Sequence, residues 1–272
     1  MNPEPVGLID SHVHLQDEAF ASDRAQVLQR AAAAGVRWMV CNGTCEADWP
    51  AVLELARWHS GIVPCFGLHP WYVRQRSDQW LERLEHYLGA IPSGIGEVGL
   101  DRWIADRDET AQEQVFLAQL ELAKRMERPV MIHCLRAWDW LMTVLRRATP
   151  LPASMMIHAY GGPVDLIQPL ADMGAYFSFA GTVLDETKVR ARQAICQVPR
   201  DRLLIETDAP DLLPPAPFRQ PKTASAAGRE VNEPANLPAI LGGIARLIGE
   251  TDPRLRATLW DNGRRFLGGL AP

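Results

Sequence analysis

Six side chains of the kind that bind divalent metals stand at, or just after, the ends of short apolar runs. The first two, His12 and His14, are separated by one residue and end a run that begins at Leu8. In a β-strand, residues i and i+2 point to the same face, so both imidazoles would aim at one spot. An isolated pair of this kind is weak evidence. Four further candidate ligands, however, follow similar runs later in the chain: Glu97, His133, His158 and Asp208.

These residue types predict metal-assisted hydrolysis. Imidazole nitrogens and carboxylate oxygens suit Zn²⁺, Mn²⁺ or Mg²⁺. Three or four such ligands hold one ion, so six are enough for two ions if one carboxylate bridges them. Two metals roughly 3.5–4 Å apart can stabilise both the attacking and the leaving oxygen of a displacement, and they lower the pKa of a bound water toward about 7. Water would then be the nucleophile.

The elements that must position these ligands alternate between β-rich and helical patterns along the chain. Such alternation predicts parallel strands joined by helical crossovers. We expect eight strands, at 7–12, 36–41, 62–67, 93–97, 129–133, 154–158, 175–179 and 203–206. Helices are expected between them near 22–34, 46–59, 77–89, 110–127, 137–147, 164–173 and 185–196, with two closing helices near 235–249 and 252–267.

Eight such units predict an α/β fold of the (β/α)8 or TIM barrel type, formed by a single domain over residues 1–272. A doubly wound open sheet is the structural alternative, but it gives no reason for ligands to follow strands one, four, five, six and eight. In a barrel the carboxyl ends of all strands converge on one face, where active sites are built. Residues 210–234 contain six prolines, which indicates a long loop over the barrel mouth.

The composition is that of a globular chain. Hydrophobic residues make up 47% and charged residues 22%, and the formal net charge of −5 argues against nonspecific binding of long nucleic acid. Bound cations could still supply positive charge where a phosphate sits. No apolar run approaches the roughly 18 residues of a membrane span, and the first five residues lack the features of a signal peptide. We therefore expect a cytoplasmic protein with no membrane contact. The sequence leaves its oligomeric state open, a monomer included.

Short motifs follow one another from residue 8 to about residue 267 of the chain. They are His12-Val13-His14, Gly67-Leu68-His69-Pro70, Gly96-Glu97-Val98-Gly99-Leu100-Asp101, Pro129-Val130-Met131-Ile132-His133, His158-Ala159-Tyr160-Gly161-Gly162, Glu206-Thr207-Asp208-Ala209-Pro210 and Asn232-Glu233-Pro234. In this order, on predicted strand ends, they resemble the motifs of the TatD-type metal-dependent deoxyribonucleases of the amidohydrolase-like superfamily. Any single motif would be weak evidence, but the series is specific.

The resemblance implies a hydrolase that cleaves phosphodiester bonds at DNA ends, with DNA or a small phosphoester as substrate. It implies two divalent ions, Zn²⁺, Mg²⁺ or Mn²⁺, bridged by Glu97. One ion would be held by His12, His14 and Asp208, and the other by His133 and His158. The expected catalytic residues are Glu97 and Asp208, because Asp208 would lie beside the activated water as its general base.

Two further residues, His69 and Arg136, are assigned to the substrate. By the family pattern His69 faces the substrate phosphate, and its alternative role is to fix the turn before Pro70. Arg136 departs from the pattern, because the family commonly continues with Ser or Cys and then Arg-Asp-Ala, whereas this chain has Cys134-Leu135-Arg136-Ala137. A guanidinium can bind an anion from several directions, so Arg136 is still expected to bind phosphate.

Several features leave the substrate open. The chain is longer than the family pattern between Arg219 and Asn232, and Trp71 and Trp103 could either stack on a base or pack on the barrel rim. The alternative function is a two-metal hydrolase of a small-molecule C–N or ester bond on the same fold. Many such relatives bridge their ions with a carboxylated lysine, so Glu97 favours the TatD group. A catalytically inactive binding protein is a third hypothesis, which the intact ligand set disfavours.

Overall fold

The computed structural model describes residues 6–220 and 230–270, and within them eight parallel strands form one sheet in the order β1 to β8. The strands are β1 Leu8–Val13, β2 Val36–Asn42, β3 Ile62–Phe66, β4 Gly94–Asp101, β5 Val130–Leu135, β6 Met155–Ile157, β7 Ala175–Ala180 and β8 Leu203–Glu206. The (β/α)8 barrel expected from the sequence is confirmed. Strand β4 extends beyond its predicted end at residue 97, because it pairs with β5 as far as Asp101 and Leu135.

Helices alternate with the strands. They are α1 Arg24–Ala33, α2 Trp49–Trp58, α3 Trp80–Ala90, α4 Glu109–Met126, α5 Trp138–Arg147, α6 Ile167–Asp172, α7 Val189–Gln197, α8 Leu237–Ile248 and α9 Asp252–Leu267. Helix α7 begins later than the predicted residue 185, because the Asp185 side chain accepts hydrogen bonds from the backbone N–H and hydroxyl of Thr187 and so forms a local turn first. No helix in the described segments is both long and apolar enough to span a bilayer.

Side-chain alternation along the strands separates a small interior cluster from the larger core under the helices. The interior cluster includes Met131, Met156 and Leu204, and the end of α9 covers it with Phe266. Alternate residues of a strand point to the same face. The same face that carries Met131 and Met156 at the bottom of the barrel therefore carries His133 and His158 at its top.

The barrel closes between β1 and β8 through polar contacts. The buried Asp10 carboxylate accepts hydrogen bonds from the backbone N–H and the hydroxyl of Thr207. Farther along, the N–H of Asp208 donates to the carbonyl of His12 at 3.0 Å, and the N–H of His14 donates to the carbonyl of Ala209 at 2.8 Å. Burial raises the pKa of Asp10 to about 8, against the lowering effect of the Thr207 hydrogen bonds. This closure brings the ends of β1 and β8 side by side.

The predicted insertion between Arg219 and Asn232 is described only at its two ends. Residues 221–229 lie outside the described residues. On either side of them, the Arg219 guanidinium and the Glu230 carboxylate form an ion pair at 2.8 Å. The Asn232 side chain donates to the carbonyl of Thr207 at 2.7 Å, which ties the end of the insertion to the strand that carries Asp208.

Gly99 allows the close approach of β4 to β5, and its substitution gives a test of the fold. A Cβ at Gly99 would lie 2.0 Å from the His133 carbonyl oxygen, and the residue has a φ of +148°. We expect Gly99→Ala to lower the free energy of unfolding by about 1–3 kcal/mol or more, because backbone atoms must move apart. Urea unfolding followed by circular dichroism measures this change.

The matched control is Gly89→Ala in α3, where nothing lies within 4 Å of the added Cβ. Alanine in a helix is favoured over glycine by roughly 0.5–1 kcal/mol, so this variant should be as stable as the parent or more stable. An equal unfolding midpoint for Gly99→Ala and the parent would contradict the steric argument.

Candidate metal centre

Four donor atoms meet where the ends of β1 and β8 face Glu97 in the middle of β4. The Nε2 atoms of His12 and His14 lie 3.3 Å apart, and they lie 3.3 and 3.4 Å from Oε2 of Glu97. Oδ1 of Asp208 lies 3.7 Å from the His12 nitrogen and 3.5 Å from the His14 nitrogen. Tetrahedral ligands at about 2.0–2.2 Å from an ion are separated by about 3.3–3.6 Å. These four residues therefore fit one ion.

The second oxygen of Glu97 faces another pair of imidazoles. Oε1 lies 2.8 Å from Nδ1 of His133 and 2.8 Å from Nε2 of His158, and the two nitrogens are 3.3 Å apart. The two 2.8 Å contacts are hydrogen-bond distances, and they would lengthen to about 3.3 Å if these three atoms held an ion between them. Because each oxygen of Glu97 belongs to a different set of donors, its carboxylate stands where a bridge between two ions would stand.

Hydrogen bonds outside the cluster fix the tautomers of two histidines. Nδ1 of His14 lies 2.8 Å from the backbone carbonyl of Asn42, and Nε2 of His133 lies 2.9 Å from Oδ2 of Asp101. Both partners can only accept, so these nitrogens carry the hydrogen. When the ring gives up its second proton, as metal binding requires, the other nitrogen has a lone pair that points at Glu97.

His158 and His12 are held mainly by packing. Their rings stack with centroids 4.1 Å apart, and Nδ1 of His158 lies 3.5 Å from Oε1 of the buried Glu206. Glu206 in turn accepts hydrogen bonds from the Ala159 N–H and the Ser178 hydroxyl. Glu206 thus stands behind His158, a candidate ligand.

His69 is brought to the same centre, but its hydrogen is on the nitrogen that faces Glu97. Its Nε2 lies 3.3 Å from Oε1 of Glu97, close enough to suggest a further ligand. However, its Nδ1 accepts a hydrogen bond from the backbone N–H of Trp71 at 3.2 Å. Burial lowers the pKa of His69 to about 4, despite the opposing charge of Glu97, so the ring is neutral. A neutral ring that accepts at Nδ1 carries its hydrogen on Nε2, which makes Nε2 a donor.

The charges of the centre are mutually compensated. Burial would raise the pKa of Glu97, but the positive charge of His158 holds it well below its usual value. Burial would likewise raise the pKa of Asp208, but the hydrogen bond from His14 keeps it low. The pKa values of His14 and His158 lie well above normal, because carboxylates outweigh the effect of burial. Metal binding is therefore coupled to proton release.

A cavity of about 480 Å³ opens above the centre and is walled by the loops after β1, β2 and β3. Among the described residues, its lining contains no lysine or arginine and has four acids besides the candidate ligands: Asp17, Glu18, Asp48 and Asp211. Arg136 is not part of that lining. Its exposed guanidinium lies 5.8 Å from the centroid of the Trp103 ring. A phosphate in the cavity would thus meet positive charge chiefly from bound ions and histidines.

Asp101 is a site residue that the sequence analysis missed. Its Oδ2 accepts from Nε2 of His133 and, at 2.8 Å, from Nε1 of Trp71, while Oδ1 accepts from the backbone N–H of Trp103. These bonds lower the pKa of Asp101 to about 2 against the effect of burial. Strand alternation could have revealed it, because Asp101 lies four residues after Glu97 on the same face of β4.

Comparison with known proteins agrees with this centre. The profile of the family described as TatD related DNase matches residues 9–268. The chain belongs to this family. The 3'-5' ssDNA/RNA exonuclease TatD of Salmonella typhimurium is 34% identical over 266 residues, which cover 96% of this chain and 98% of that protein. The predicted TatD family and the predicted class, a metal-dependent hydrolase, are confirmed.

A TatD homologue from Escherichia coli gives a structural comparison. The uncharacterized metal-dependent hydrolase YjjV is 33% identical over 207 residues, which cover 75% of this chain and 80% of YjjV. The crystal structure of YjjV superposes with a TM-score of 0.85 at 29% identity and covers 96% of this chain and 97% of that one. A TatD-family hydrolase of Entamoeba histolytica, at 19% identity, shares the fold with the same TM-score.

The orienting role of Asp101 in this TatD-family chain can be tested by Asp101→Asn. An amide can accept on one side only, whereas both oxygens of Asp101 accept hydrogen bonds, so the substitution leaves one set of donors unmatched. We expect divalent metal to bind about 10- to 100-fold more weakly, as is typical when a carboxylate behind a ligand histidine is lost. Competition with a chromogenic chelator measures the affinity.

Asp106→Asn is the matched control, because the Asp106 carboxylate is exposed and pairs only with Arg74 among the described residues. It should keep the parental metal affinity. Parental affinity in Asp101→Asn as well would show that His133 does not depend on this carboxylate.

Proposed function

We propose that this chain is a two-metal phosphodiesterase that removes nucleotides from the ends of single-stranded DNA or RNA. The observation that carries the proposal is the position of Glu97, whose two oxygens face two separate sets of donors. The relatives named as ssDNA/RNA exonucleases match over nearly their whole length and so support a nucleic acid substrate. A cavity without basic side chains among the described residues suits a phosphate only if cations are bound there.

The proposed ligand sets are His12, His14 and Asp208 for one ion and His133 and His158 for the other, with Glu97 shared. When bound, such ions supply Lewis acidity, which withdraws charge from the scissile phosphate and makes a nearby water more acidic. Asp208 is ionised, because its hydrogen bond from His14 keeps its pKa low despite burial. We assign it to accept the proton of the attacking water.

His69 is proposed to hold the substrate rather than a metal. Its Nε2–H points toward Glu97 and the space above the centre, and its neutral charge is fixed by burial. A positioned N–H donor of this kind stabilises negative charge that develops on a phosphate oxygen. Arg136 is exposed at the rim beside Trp103. We propose that its permanently charged side chain binds a phosphate outside the cavity and takes no part in metal binding.

The number of ions can be counted directly. We expect elemental analysis of protein prepared in the presence of Zn²⁺ or Mn²⁺ to give close to two ions per chain, because six donor residues exceed what one four-coordinate ion needs. His69→Ala should keep both ions, since Nε2 of His69 carries a hydrogen. A value that stays at or below one after loading with each metal, Mg²⁺ included, would contradict the bridged pair.

The activity is tested with end-labelled oligonucleotides. We expect the metal-loaded protein to shorten single-stranded DNA and RNA progressively from one end, and chelator to stop it. Asp208→Asn keeps the shape and one ligand oxygen but cannot accept a proton, so its rate should fall by roughly 10²–10⁴. Circular dichroism and metal content are measured on the same samples, to separate loss of chemistry from loss of fold or metal.

The control is Asp201→Asn, an exposed carboxylate before β8 at the opposite end of that strand, which should leave the rate unchanged. A parental rate in metal-loaded Asp208→Asn would remove Asp208 as the base. Turnover of amides or lactones in a parallel panel, with none of any oligonucleotide, would instead establish the small-molecule hydrolase.

A further inference from the structure

Exposed apolar side chains gather at one side of the barrel mouth. Trp71 is 44% exposed, Trp103 is 53% exposed and Leu135 is 37% exposed, and they follow or end the neighbouring strands β3, β4 and β5. Large apolar surface that is left in water and concentrated in one place usually marks a binding site. Packing of the rim, the alternative for the two tryptophans, would have buried them.

One carboxylate fixes the Trp71 ring and the backbone of Trp103. Asp101 accepts from the indole N–H of Trp71 through Oδ2 and from the backbone N–H of Trp103 through Oδ1. Trp71 is further held against His69, with ring centroids 5.1 Å apart and planes at 89°. The Trp71 ring is therefore exposed without being free to turn, and a ring already fixed loses little entropy when a ligand binds to it.

Arg136 completes this surface. Its guanidinium lies 5.8 Å from the Trp103 ring centroid, and its backbone has a φ of +56°, a left-handed conformation that side chains adopt at a cost. The strained backbone conformation thus occurs at the residue that places a cation beside an exposed indole. A cation next to an aromatic face is the combination that single-stranded nucleic acid requires, because the phosphate needs charge and the base needs a stacking surface.

We propose that Trp71 and Trp103 stack on unpaired bases of a single-stranded nucleic acid, while Arg136 binds the phosphate that joins them. The inference rests on the proposed nuclease function and adds a base-binding surface that starts next to His69 and runs outward over β4 and β5. Bases of a duplex already stack on each other and offer no free face, so this surface favours single strands. Every base has a stacking face, so the surface is tolerant of sequence.

Trp103 provides the cleaner test, because its bond to Asp101 comes from the backbone and survives substitution. Binding is measured by fluorescence anisotropy of a labelled octanucleotide with metal-loaded Asp208→Asn protein. Adding Trp103→Ala should weaken binding about 5- to 150-fold, the range for loss of one stacked base, and Trp103→Phe should restore most of it. In otherwise wild-type enzyme, Trp103→Ala should raise KM with little change in kcat.

The decisive comparison uses oligonucleotides whose terminal residues are abasic. If Trp103 stacks on a base, Trp103→Ala should cost nothing with the abasic strand, because the base is already missing. Trp58→Ala is the matched control, since Trp58 is 77% exposed at the end of α2, away from the mouth, and should bind like the parent. Thermal unfolding confirms that each variant is folded.

If the parent protein degrades end-labelled DNA, either of two results with Trp103→Ala overturns the inference. One is parental affinity for the normal oligonucleotide, and the other is an equal loss of affinity with normal and abasic strands. Both would show that no base stacks on Trp103. Absence of both binding and degradation in the parent protein would instead overturn the proposed function, and the base-binding surface with it.

Discussion

The buried carboxylate of Glu97 is the charge around which the site is arranged. A carboxylate that is only 4% exposed would be costly without partners, because burial of an unpaired charge costs several kcal/mol. Here Oε2 meets His12 and His14, while Oε1 meets histidines carried on or after β3, β5 and β6. Partners from so many strands reach one carboxylate only if the sheet closes. The centre therefore forms only in the closed barrel.

The chemistry therefore depends on the closure of the barrel and on the close approach of its strands. The hydrogen bonds between Asp10 and Thr207 join β1 to β8 close to His12 and Asp208. On the other side of Glu97, a Cβ at Gly96 would lie 2.6 Å from Oδ1 of Asn42. Asn42 provides the carbonyl that fixes His14. The small residues of the Gly-Glu-Val-Gly motif thus keep β4 close to its neighbours, and this proximity lets a short carboxylate side chain reach both sets of imidazoles.

Residue types and spacing were sufficient to predict the barrel, the strand order and the residues that meet at its mouth, because each depends on periodicity or on a short motif. The orientation of the rings could not be predicted in this way. The partners that set it, such as the Asn42 carbonyl and the Trp71 N–H, are backbone groups that every sequence has. Asp101 was also missed: alternation places it on the same face of β4 as Glu97, but only its contact with His133 shows what it does. Nor does sequence spacing show that Arg136 lies outside the cavity, beside Trp103.

The difference between His69 and the other histidines of the centre shows how the backbone assigns chemistry to a side chain. His14 and His133 donate from one nitrogen to an oxygen that can only accept, so in the neutral ring the lone pair of each faces the centre. His69 instead accepts a backbone N–H, and since burial keeps it neutral, its other nitrogen must present hydrogen. All three rings lie within 3.5 Å of the same carboxylate, so distance cannot separate a ligand from a donor. The hydrogen-bond partner on the far side of the ring does separate them, and at His69 that partner is supplied by the turn that also positions Trp71.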